Sequence, residues 1–328
     1  MRKARKDPTT DTSASRTRQV ASGSPRGKSL EIESWYNHPE WFEIGFQDET
    51  LKEAAFFEKA FQRWCEFPVR RLLEPACGSG RLVVEMASRG YDVTGFDLSQ
   101  PSLDYLQRKL KRRRLRAQAL RGNMSRFTFP DKFDAAFCMI NSFRHLTSEE
   151  AARNHLQCVA QSLHRGGLYF LGMHLERPGV EPMCAERWVG QRGRTHVTTT
   201  LRVIETLPKK RLELLRISVL VRRLAIGDSL IRRPKKGVTS ASRTHAAPRG
   251  SIGAAQDGAV SSKLAGTIVA RVRDEFYYRL YTATQIRRSI ASVPQLEVVE
   301  VFDHRYDINK PQKLSNETTG VLFVLRRR

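Results

Sequence analysis

The sequence predicts an α/β protein built around a doubly wound, mostly parallel sheet of seven strands, with an inserted antiparallel β region. Between residues 71 and 174, short apolar stretches alternate with stretches whose apolar residues recur at helical spacing. This alternation is typical of a parallel sheet covered by helices on both faces. A turn with two glycines, Gly78 and Gly80, joins the first strand to the next helix. After Leu175 the pattern changes to successive β-rich stretches, which predicts the antiparallel insertion.

The alternating region is preceded by one further helix. Apolar residues at helical spacing predict a helix over Leu51–Phe61, which Pro68 ends. Ser99 and Ser148 each precede a helical stretch and are expected to cap it. The strands are predicted at 71–74, 91–96, 117–120, 133–140 and 168–174, and the helices at 82–89, 99–116 and 148–163.

The insertion is predicted as an antiparallel hairpin. Its strands are 195–206 and 212–224, and Pro208–Lys210 forms the turn. A further strand is predicted at 267–278, followed by a helix at 282–291. Strands at 296–302 and 321–325 are expected to finish the main sheet as antiparallel neighbours.

The charge of the chain is strongly positive and unevenly spread. The net charge is +23, from 57 basic and 34 acidic residues, and residues 1–30 and 229–266 each have a net charge of +6. Both stretches have little to bury, so we predict a disordered basic tail over 1–29 and a disordered loop at about 229–266. The predicted core is 30–175 with 281–328, and 176–280 is the inserted lid or substrate region.

A positive balance favours a polyanionic partner such as nucleic acid. The basic run Lys109–Arg116 is interpreted as a solvated helix face, with a contact to RNA or phospholipid as the alternative. The oligomeric state is not predicted.

The spacing of the cysteines and the length of the apolar stretches indicate the cellular compartment. None of the five cysteines forms a Cys-x-x-Cys pair, so no metal site is predicted and we expect buried, reduced thiols. No apolar stretch approaches the length of a membrane span, and the basic N-terminus lacks the apolar segment of a secretory signal. We therefore expect a cytoplasmic protein without a membrane association; a transit peptide is the alternative, which Asp7 and Asp11 disfavour.

The glycine turn carries the first chemical signal. In Glu74-Pro-Ala-Cys-Gly-Ser-Gly80 the glycines allow a ligand to approach the backbone, and the following helix N-terminus favours polar groups. Val83 occupies the third glycine position of a dinucleotide fingerprint, which disfavours NAD. Asp97 ends the second strand, where an acid binds the ribose hydroxyls of an adenosine ligand. The alternative is that Asp97 only caps the helix beginning at Ser99.

These segments resemble class I S-adenosylmethionine-dependent methyltransferases. Glu74–Gly80 resembles their first motif, the Asp97 segment their second, and Arg121–Ser125 the segment beside the adenine. Phe133–Phe143 resembles their fourth-strand motif. The resemblance implies a Rossmann-like methyltransferase fold with S-adenosylmethionine as the cofactor. The implied cofactor-binding residues are Glu74, Ala76, Gly78, Gly80, Asp97, Leu98, Asn123, Met124, Asn141 and Ser142.

The resemblance also implies a role for each part of that set. Glu74 is expected near the methionine amino group, the two glycines along the methionine and ribose, and Asn123 and Met124 around the adenine. Asn123 replaces the more usual Asp and would accept from the adenine amino group through its side-chain carbonyl. Asn141 and Ser142 are expected to face the reacting methyl group. Asn141–Phe143 lacks the Pro-Pro of amino-group nucleic-acid methylases, which argues against exocyclic amines of bases as acceptors.

Two histidines are candidates for a general base. His145 lies shortly after Asn141, and His174 follows the fifth strand. The alternative is that each only packs or faces solvent. Aromatic residues at Trp35, Tyr36, Trp41 and Phe42 form either a lid over the cofactor or a hydrophobic cap on the core.

The leading functional hypothesis is methyl transfer to a small-molecule acceptor, because no separate RNA-binding module is visible. The first alternative is an RNA methyltransferase that uses the basic segments. The second is a non-catalytic cofactor-binding or interaction protein on the same fold.

Overall fold

The computed structural model describes residues 29–46, 49–180, 185–225 and 266–328. Apart from residues 29 and 266, the segments expected to be a disordered tail and a disordered loop lie outside these ranges, as does Cys184. The helices of the described ranges are α1 (Pro39–Phe46), α2 (Thr50–Trp64), α3 (Arg81–Ser88), α4 (Gln100–Arg113), α5 (Glu149–Ser162) and α6 (Ala283–Ala291). The strands are β1 (Glu31–Ile32), β2 (Arg71–Pro75), β3 (Asp92–Asp97), β4 (Gln118–Arg121), β5 (Phe133–Cys138), β6 (Leu163–His174), β7 (Ala185–Arg192), β8 (Thr195–Leu207), β9 (Leu212–Leu224), β10 (Gly266–Arg279), β11 (Leu296–Phe302) and β12 (Gly320–Arg327).

A seven-stranded sheet confirms the predicted fold class. Its strand order is β11-β12-β6-β5-β2-β3-β4. The five strands from β2 to β6 are parallel, and β12 and β11 close one side in antiparallel pairing. The connections run in opposite directions on the two sides of β2, so the carboxyl ends of β2 and β5 border the crevice where such sheets bind ligands.

Helices cover both faces of this sheet. On β2, Leu72 packs in a cluster with Phe57 and Leu82, whereas Leu73 packs in a second cluster with Leu156 and Ile286. Both leucines are fully buried. Neighbouring side chains of a strand point to opposite faces, so this burial requires helices on each side.

The predicted helix caps are present. Ser99 Oγ accepts from the Ser102 N–H at 3.3 Å, and Ser148 Oγ accepts from the Ala151 N–H at 3.0 Å. Thr282 caps α6 in a reciprocal arrangement with Gln285. Side-chain oxygens of this kind satisfy peptide donors that have no partner within the helix, so they fix where each helix begins.

β6 begins earlier than its sequence suggests. Gly166 and Gly167, which lie between the predicted helix at 148–163 and the predicted strand at 168–174, are within β6 at an irregularity in the pairing of β5 and β6. A Cβ on Gly167 would stand 2.8 Å from the Asp134 carbonyl oxygen. The glycine therefore permits a close approach between two strands as well as a turn.

The insertion contributes β7 to β10 to a separate five-stranded sheet with the order β1-β10-β9-β8-β7. The predicted hairpin of β8 and β9 is present, with a 3-10 turn at Pro208–Lys210. β7 was not predicted. Its inward-facing positions include Glu186 and Gly190 beside Trp188, so they do not repeat the apolar pattern by which a strand is usually recognised.

The N-terminal residues pack against this second sheet. β1 pairs with β10, and Trp35 packs in a cluster with Val197 and Ile217. α1 lies over β7, where a Cβ on Gly190 would stand 2.4 Å from the Ile44 carbonyl oxygen. The predicted division placed these residues with the 30–175 core, whereas their packing joins them to the insertion.

In the described ranges, no helix combines the length and the apolar character needed to cross a bilayer.

Candidate active site

The glycine turn after β2 takes a conformation that few residues adopt. Ala76, Gly78 and Gly80 all have positive φ, at 55°, 51° and 66°. Gly80 also lies so close to α4 that a Cβ would stand 2.3 Å from Leu106 Cδ1. Gly80 is therefore required by packing as well as by conformation, and the loop keeps its backbone at the ends of β2 and β3.

Asp97 ties the turn to the next helix. Its Oδ2 accepts from the Gly78 N–H and its Oδ1 from the Ser99 N–H, each at 2.8 Å. Burial raises the pKa of the Asp97 carboxyl, and these two peptide donors act in the opposite direction. Each carboxylate oxygen keeps a further lone pair for a ligand hydroxyl. Asp97 does more than cap α4, because it also holds the glycine turn. Leu98, the next residue, is exposed.

Glu74 presents a buried acceptor at the end of β2. The residue is 6% exposed, and its Oε2 has no hydrogen-bond donor among the described residues. Burial raises the pKa of this carboxyl well above its usual range, and Arg81 acts in the opposite direction. A buried acceptor without a donor is costly, so it fits a ligand that brings one, such as the methionine amino group of the cofactor.

The loop after β4 differs from its expected arrangement. Asn123 Oδ1 accepts from both the N–H and the hydroxyl of Ser125, each at 2.9 Å. The oxygen assigned to the adenine amino group thus already has two donors, and its side chain stabilises the turn. Met124 is buried, and its carbonyl accepts from His155 Nδ1 at 2.8 Å.

Asn141 joins the ends of β5 and β6. It has a left-handed backbone with φ of 63°, and its Oδ1 accepts from the His174 N–H at 2.7 Å. Its Nδ2 donates to His174 Nδ1 at 2.8 Å. This leaves the ring proton of neutral His174 on Nε2, so neither ring nitrogen offers a lone pair to a substrate. The pair serves to fix the backbone before Ser142, which begins a 3-10 turn.

His145 lies in an aromatic enclosure made by Tyr36, Phe276 and Tyr278. Its Nε2 is 2.7 Å from the Tyr36 hydroxyl, and its ring centroid is 5.2 Å from that of Phe276 and 4.7 Å from that of Tyr278. Burial lowers the pKa of His145 to about 4, and the neighbouring Arg144 acts in the same direction. His145 is thus a neutral side chain near pH 7.

Tyr36 connects this enclosure to the cofactor side. Its carbonyl accepts from the hydroxyls of Ser99 and Ser102 at 3.2 and 3.1 Å, at the start of α4. Trp35 and Phe42 pack in the cluster on the second sheet, as expected of a hydrophobic cap, while Tyr36 also contacts His145. Trp41 stacks on His38 at 4.0 Å.

An acidic group near Arg144 was missed from the sequence. Arg144 binds Glu213 through Nη2 and donates from Nε to the Arg279 carbonyl at 3.0 Å, and its guanidinium lies 4.8 Å from the Tyr278 ring. Glu186 lies within electrostatic reach: burial raises the pKa of its carboxyl, Arg144 lowers it and Glu213 raises it. The sequence signal for Glu213 is an acid on the buried face of β9, where every second residue is apolar.

Lys109 is not part of a solvated helix face. It is 5% exposed, and its Nζ binds Glu43 and the Ser79 carbonyl. Glu43 also binds Arg192 at 2.9 Å, so one carboxylate connects α1, α4 and β7. A cavity of about 360 Å³ adjoins these residues, and its lining contains neither Asp97 nor His145.

Comparison with known proteins gives concordant results. A family model described as a methyltransferase domain matches residues 72–167. A protein described as a methyltransferase from Geobacillus sp. (strain WCH70) is 27% identical over 133 residues, which is 39% of this chain and 54% of that protein. The chain thus spans about half the length of this curated relative.

Solved structures share the fold over nearly the whole chain. An S-adenosylmethionine-dependent methyltransferase from Clostridium acetobutylicum has a TM-score of 0.62 at 15% identity, covering 90% of this chain and 99% of that one. The sugar N-methyltransferase KedS8 from Streptoalloteichus sp. has a TM-score of 0.61 at 16% identity, covering 95% and 99%. Residues 72–167 thus match a methyltransferase domain, and the chain has the fold of S-adenosylmethionine-dependent methyltransferases.

Proposed function

We propose that this protein transfers a methyl group from S-adenosylmethionine to an amino group of a small molecule. The observation that carries this proposal is the acidic and aromatic character of the enclosure beside His145. Glu213 and Glu186 come from the inner face of the second sheet, and Glu176 follows β6. All three carboxylates are within electrostatic reach of the single guanidinium of Arg144.

Such surroundings suit an amine better than an anion. Carboxylates and the faces of aromatic rings both attract an ammonium group. Tyr36, Phe276 and Tyr278 supply the rings, and Glu213, Glu186 and Glu176 place three carboxylates within electrostatic reach of the Arg144 guanidinium. The fold is also that of a sugar N-methyltransferase, which supports an amine as the acceptor.

The cofactor-binding roles form part of the same proposal. The Glu74 carboxylate would accept from the methionine amino group, and Asp97 would accept from the ribose hydroxyls. Met124 would border the adenine. Ala76, Gly78 and Gly80 would lie along the methionine and the ribose of the cofactor. The bound cofactor supplies an electrophilic methyl group with a good leaving group, so the protein mainly has to align the acceptor.

The residues of the enclosure orient the acceptor and exclude water. A neutral amine attacks through its own lone pair, so no strong base is needed. His145 is neutral and hydrogen-bonded to Tyr36, which suits it to hold the acceptor rather than to remove a proton at the rate-limiting step. His174 supports Asn141 and is not assigned a proton-transfer role.

The test is a methylation assay with the purified full chain, S-adenosylmethionine and a panel of small amines, matched alcohols and structured RNA. Formation of S-adenosylhomocysteine is the readout. We expect turnover with some amines, none with the matched alcohols, and a rate that rises with pH as the free ammonium loses its proton.

Methylation of RNA with tight, salt-sensitive binding would instead support the RNA alternative. The basic run at 109–116 offers RNA one cation fewer than the sequence suggests, because Lys109 is buried. Cofactor binding without turnover on any acceptor would support a non-catalytic protein. A cytoplasmic location belongs to the proposal as well: the four described cysteines are free, as a reducing compartment keeps them.

A further inference from the structure

His155 is a fully buried histidine whose two ring nitrogens both have partners. It lies on α5, outside the enclosure around His145. Nδ1 is 2.8 Å from the Met124 carbonyl oxygen, and Nε2 is 2.7 Å from the Tyr169 hydroxyl on β6. The residue has 0% exposure, so neither nitrogen exchanges its partner for water.

The direction of each hydrogen bond follows from the chemistry of the partners. A carbonyl oxygen only accepts, so Nδ1 carries the ring proton and donates to Met124. Burial lowers the pKa of His155 to about 4, so the ring is neutral near pH 7 and Nε2 is an acceptor. The Tyr169 hydroxyl must therefore donate to Nε2. Tyr169 thus sets the tautomer that Met124 requires.

Packing leaves the ring a single orientation. Phe143 and Phe127 lie edge-on to it, with centroids at 5.4 and 6.2 Å. The Tyr169 hydroxyl in turn interacts with the Cys138 thiol on β5. The Met124 carbonyl is thereby fixed relative to the two central strands β5 and β6.

The loop that contains Met124 is held at its other end too. The Gly122 N–H donates to the Asp97 carbonyl at 3.0 Å, so the loop starts beside the acid of the cofactor site. Asn123 and Ser125 close the turn between them. Met124 is then the point at which the loop is tied to the helix layer.

We propose that His155 is a positioning residue for the adenine of S-adenosylmethionine: it donates to the Met124 carbonyl and so holds the adenine-bordering loop, in a tautomer that Tyr169 selects. The inference rests on the proposed placement of the adenine beside Met124. It does not depend on the identity of the methyl acceptor.

The test uses His155→Leu, which removes the donor, and His155→Asn, whose side-chain amide still donates. Calorimetry measures binding of S-adenosylhomocysteine and of its hypoxanthine analogue, S-inosylhomocysteine. We expect His155→Leu to weaken S-adenosylhomocysteine binding about 3- to 10-fold, the value of one hydrogen bond. The ratio of the affinities for S-adenosylhomocysteine and S-inosylhomocysteine should also fall in His155→Leu. His155→Asn should restore a large part of the affinity and of this ratio.

Two further variants separate positioning from general stability. Tyr169→Phe removes the donor to Nε2 and should weaken binding in the same direction, by a smaller factor. Ser162→Ala is the control, because Ser162 is also buried on α5 but donates within its own helix, to the Cys158 carbonyl at 2.8 Å. It should leave both affinities unchanged.

A lower melting temperature with unchanged affinity and unchanged base preference in His155→Leu would overturn the proposal. If that variant does not fold, the affinity for S-adenosylhomocysteine and the base preference are measured in His155→Asn and Tyr169→Phe instead. Absence of S-adenosylhomocysteine binding in the unmodified chain would contradict the proposed cofactor site itself, whereas normal binding without turnover leaves this test intact.

Discussion

The Asp97 carboxylate and the Gly78 peptide N–H are joined by a hydrogen bond of 2.8 Å, which links the end of β3 to the glycine turn after β2. The same carboxylate accepts from Ser99 at the start of α4. One side chain therefore sets the relative positions of a glycine turn and a helix N-terminus.

Replacing Asp97 with alanine is expected to weaken S-adenosylhomocysteine binding strongly. The loss of two charge-assisted hydrogen bonds to the ribose costs roughly 2–4 kcal/mol, or about 30- to 1000-fold in affinity. Asp92→Ala, which removes an exposed acid at the opposite end of β3, is the control and should bind normally. Calorimetry checks both variants. Equal affinities for Asp97→Ala and the unmodified protein would remove Asp97 from the cofactor site.

Stability should fall between about pH 6.5 and pH 4 because of two buried histidines. The pKa of His145 and that of His155 are each lowered to about 4, mainly by burial. Below pH 6.5 the unfolded chain protonates these side chains while the folded chain does not, so acidification favours unfolding. Each contributes on the order of 3 kcal/mol across this window. Chemical denaturation at several pH values should show a shallower decline in His145→Phe.

Activity should not follow a histidine titration above pH 5. His145 is already neutral there, so a rate that rises with pH must reflect the acceptor amine. His145→Phe and Tyr36→Phe are expected to raise the KM for the acceptor more than they lower kcat. A bell-shaped profile of kcat with a limb near pH 6.5 that disappears in His145→Phe would instead identify His145 as a general base.

The basic helix α4 contains one buried lysine, Lys109, and one exposed lysine, Lys111. Lys109→Ala removes one partner of a buried ion pair and leaves Glu43 with only Arg192, so we expect a loss of stability of about 3 kcal/mol. Lys111→Ala, on the exposed side of the same helix, should change stability by less than about 0.5 kcal/mol. Thermal unfolding compares the two, and a similar small effect from both would contradict the buried pair.

Removing the exposed cations of α4 tests the nature of the acceptor. A Lys111→Ala, Arg112→Ala, Arg113→Ala variant should keep its cofactor affinity and its turnover of a small amine, because these side chains lie outside the enclosure. For an enzyme acting on RNA, the same variant would bind RNA more weakly and with a flatter salt dependence. Fluorescence anisotropy at several salt concentrations distinguishes the two outcomes.

The turn and the helix starts on the proposed cofactor side of the site could be predicted from the sequence because they are local. The turn around Gly78, the acid Asp97 and the caps Ser99 and Ser148 all depend on nearby residues, and the seven strands follow from apolar patterning. The use of Asn123 Oδ1 by Ser125 escaped prediction, since a motif shows which residue is present but not which donor reaches it first.

The features that could not be predicted depend on contacts between distant elements. Nothing in the basic run around Lys109 shows that Glu43, on another helix, will bury this one member. Likewise β7 lacks an apolar period because two of its inward positions are not apolar. Glu186 lies near Arg144, and Gly190 leaves room for the backbone of α1 at Ile44. Periodicity detects burial against apolar groups and misses burial against charges.

The hydrogen bond from the Trp35 N–H to Asp274 Oδ2, at 3.1 Å, joins residues 239 positions apart. The wall of the enclosure formed by Tyr36 and Phe276 thus closes only after Asp274 has emerged from the ribosome, whereas the glycine turn and Asp97 emerge much earlier in synthesis. Long loop closures of this kind are slow steps in folding. A nascent chain can therefore form the proposed cofactor crevice well before the enclosure beside His145, and changes in that enclosure during evolution need not disturb the earlier step.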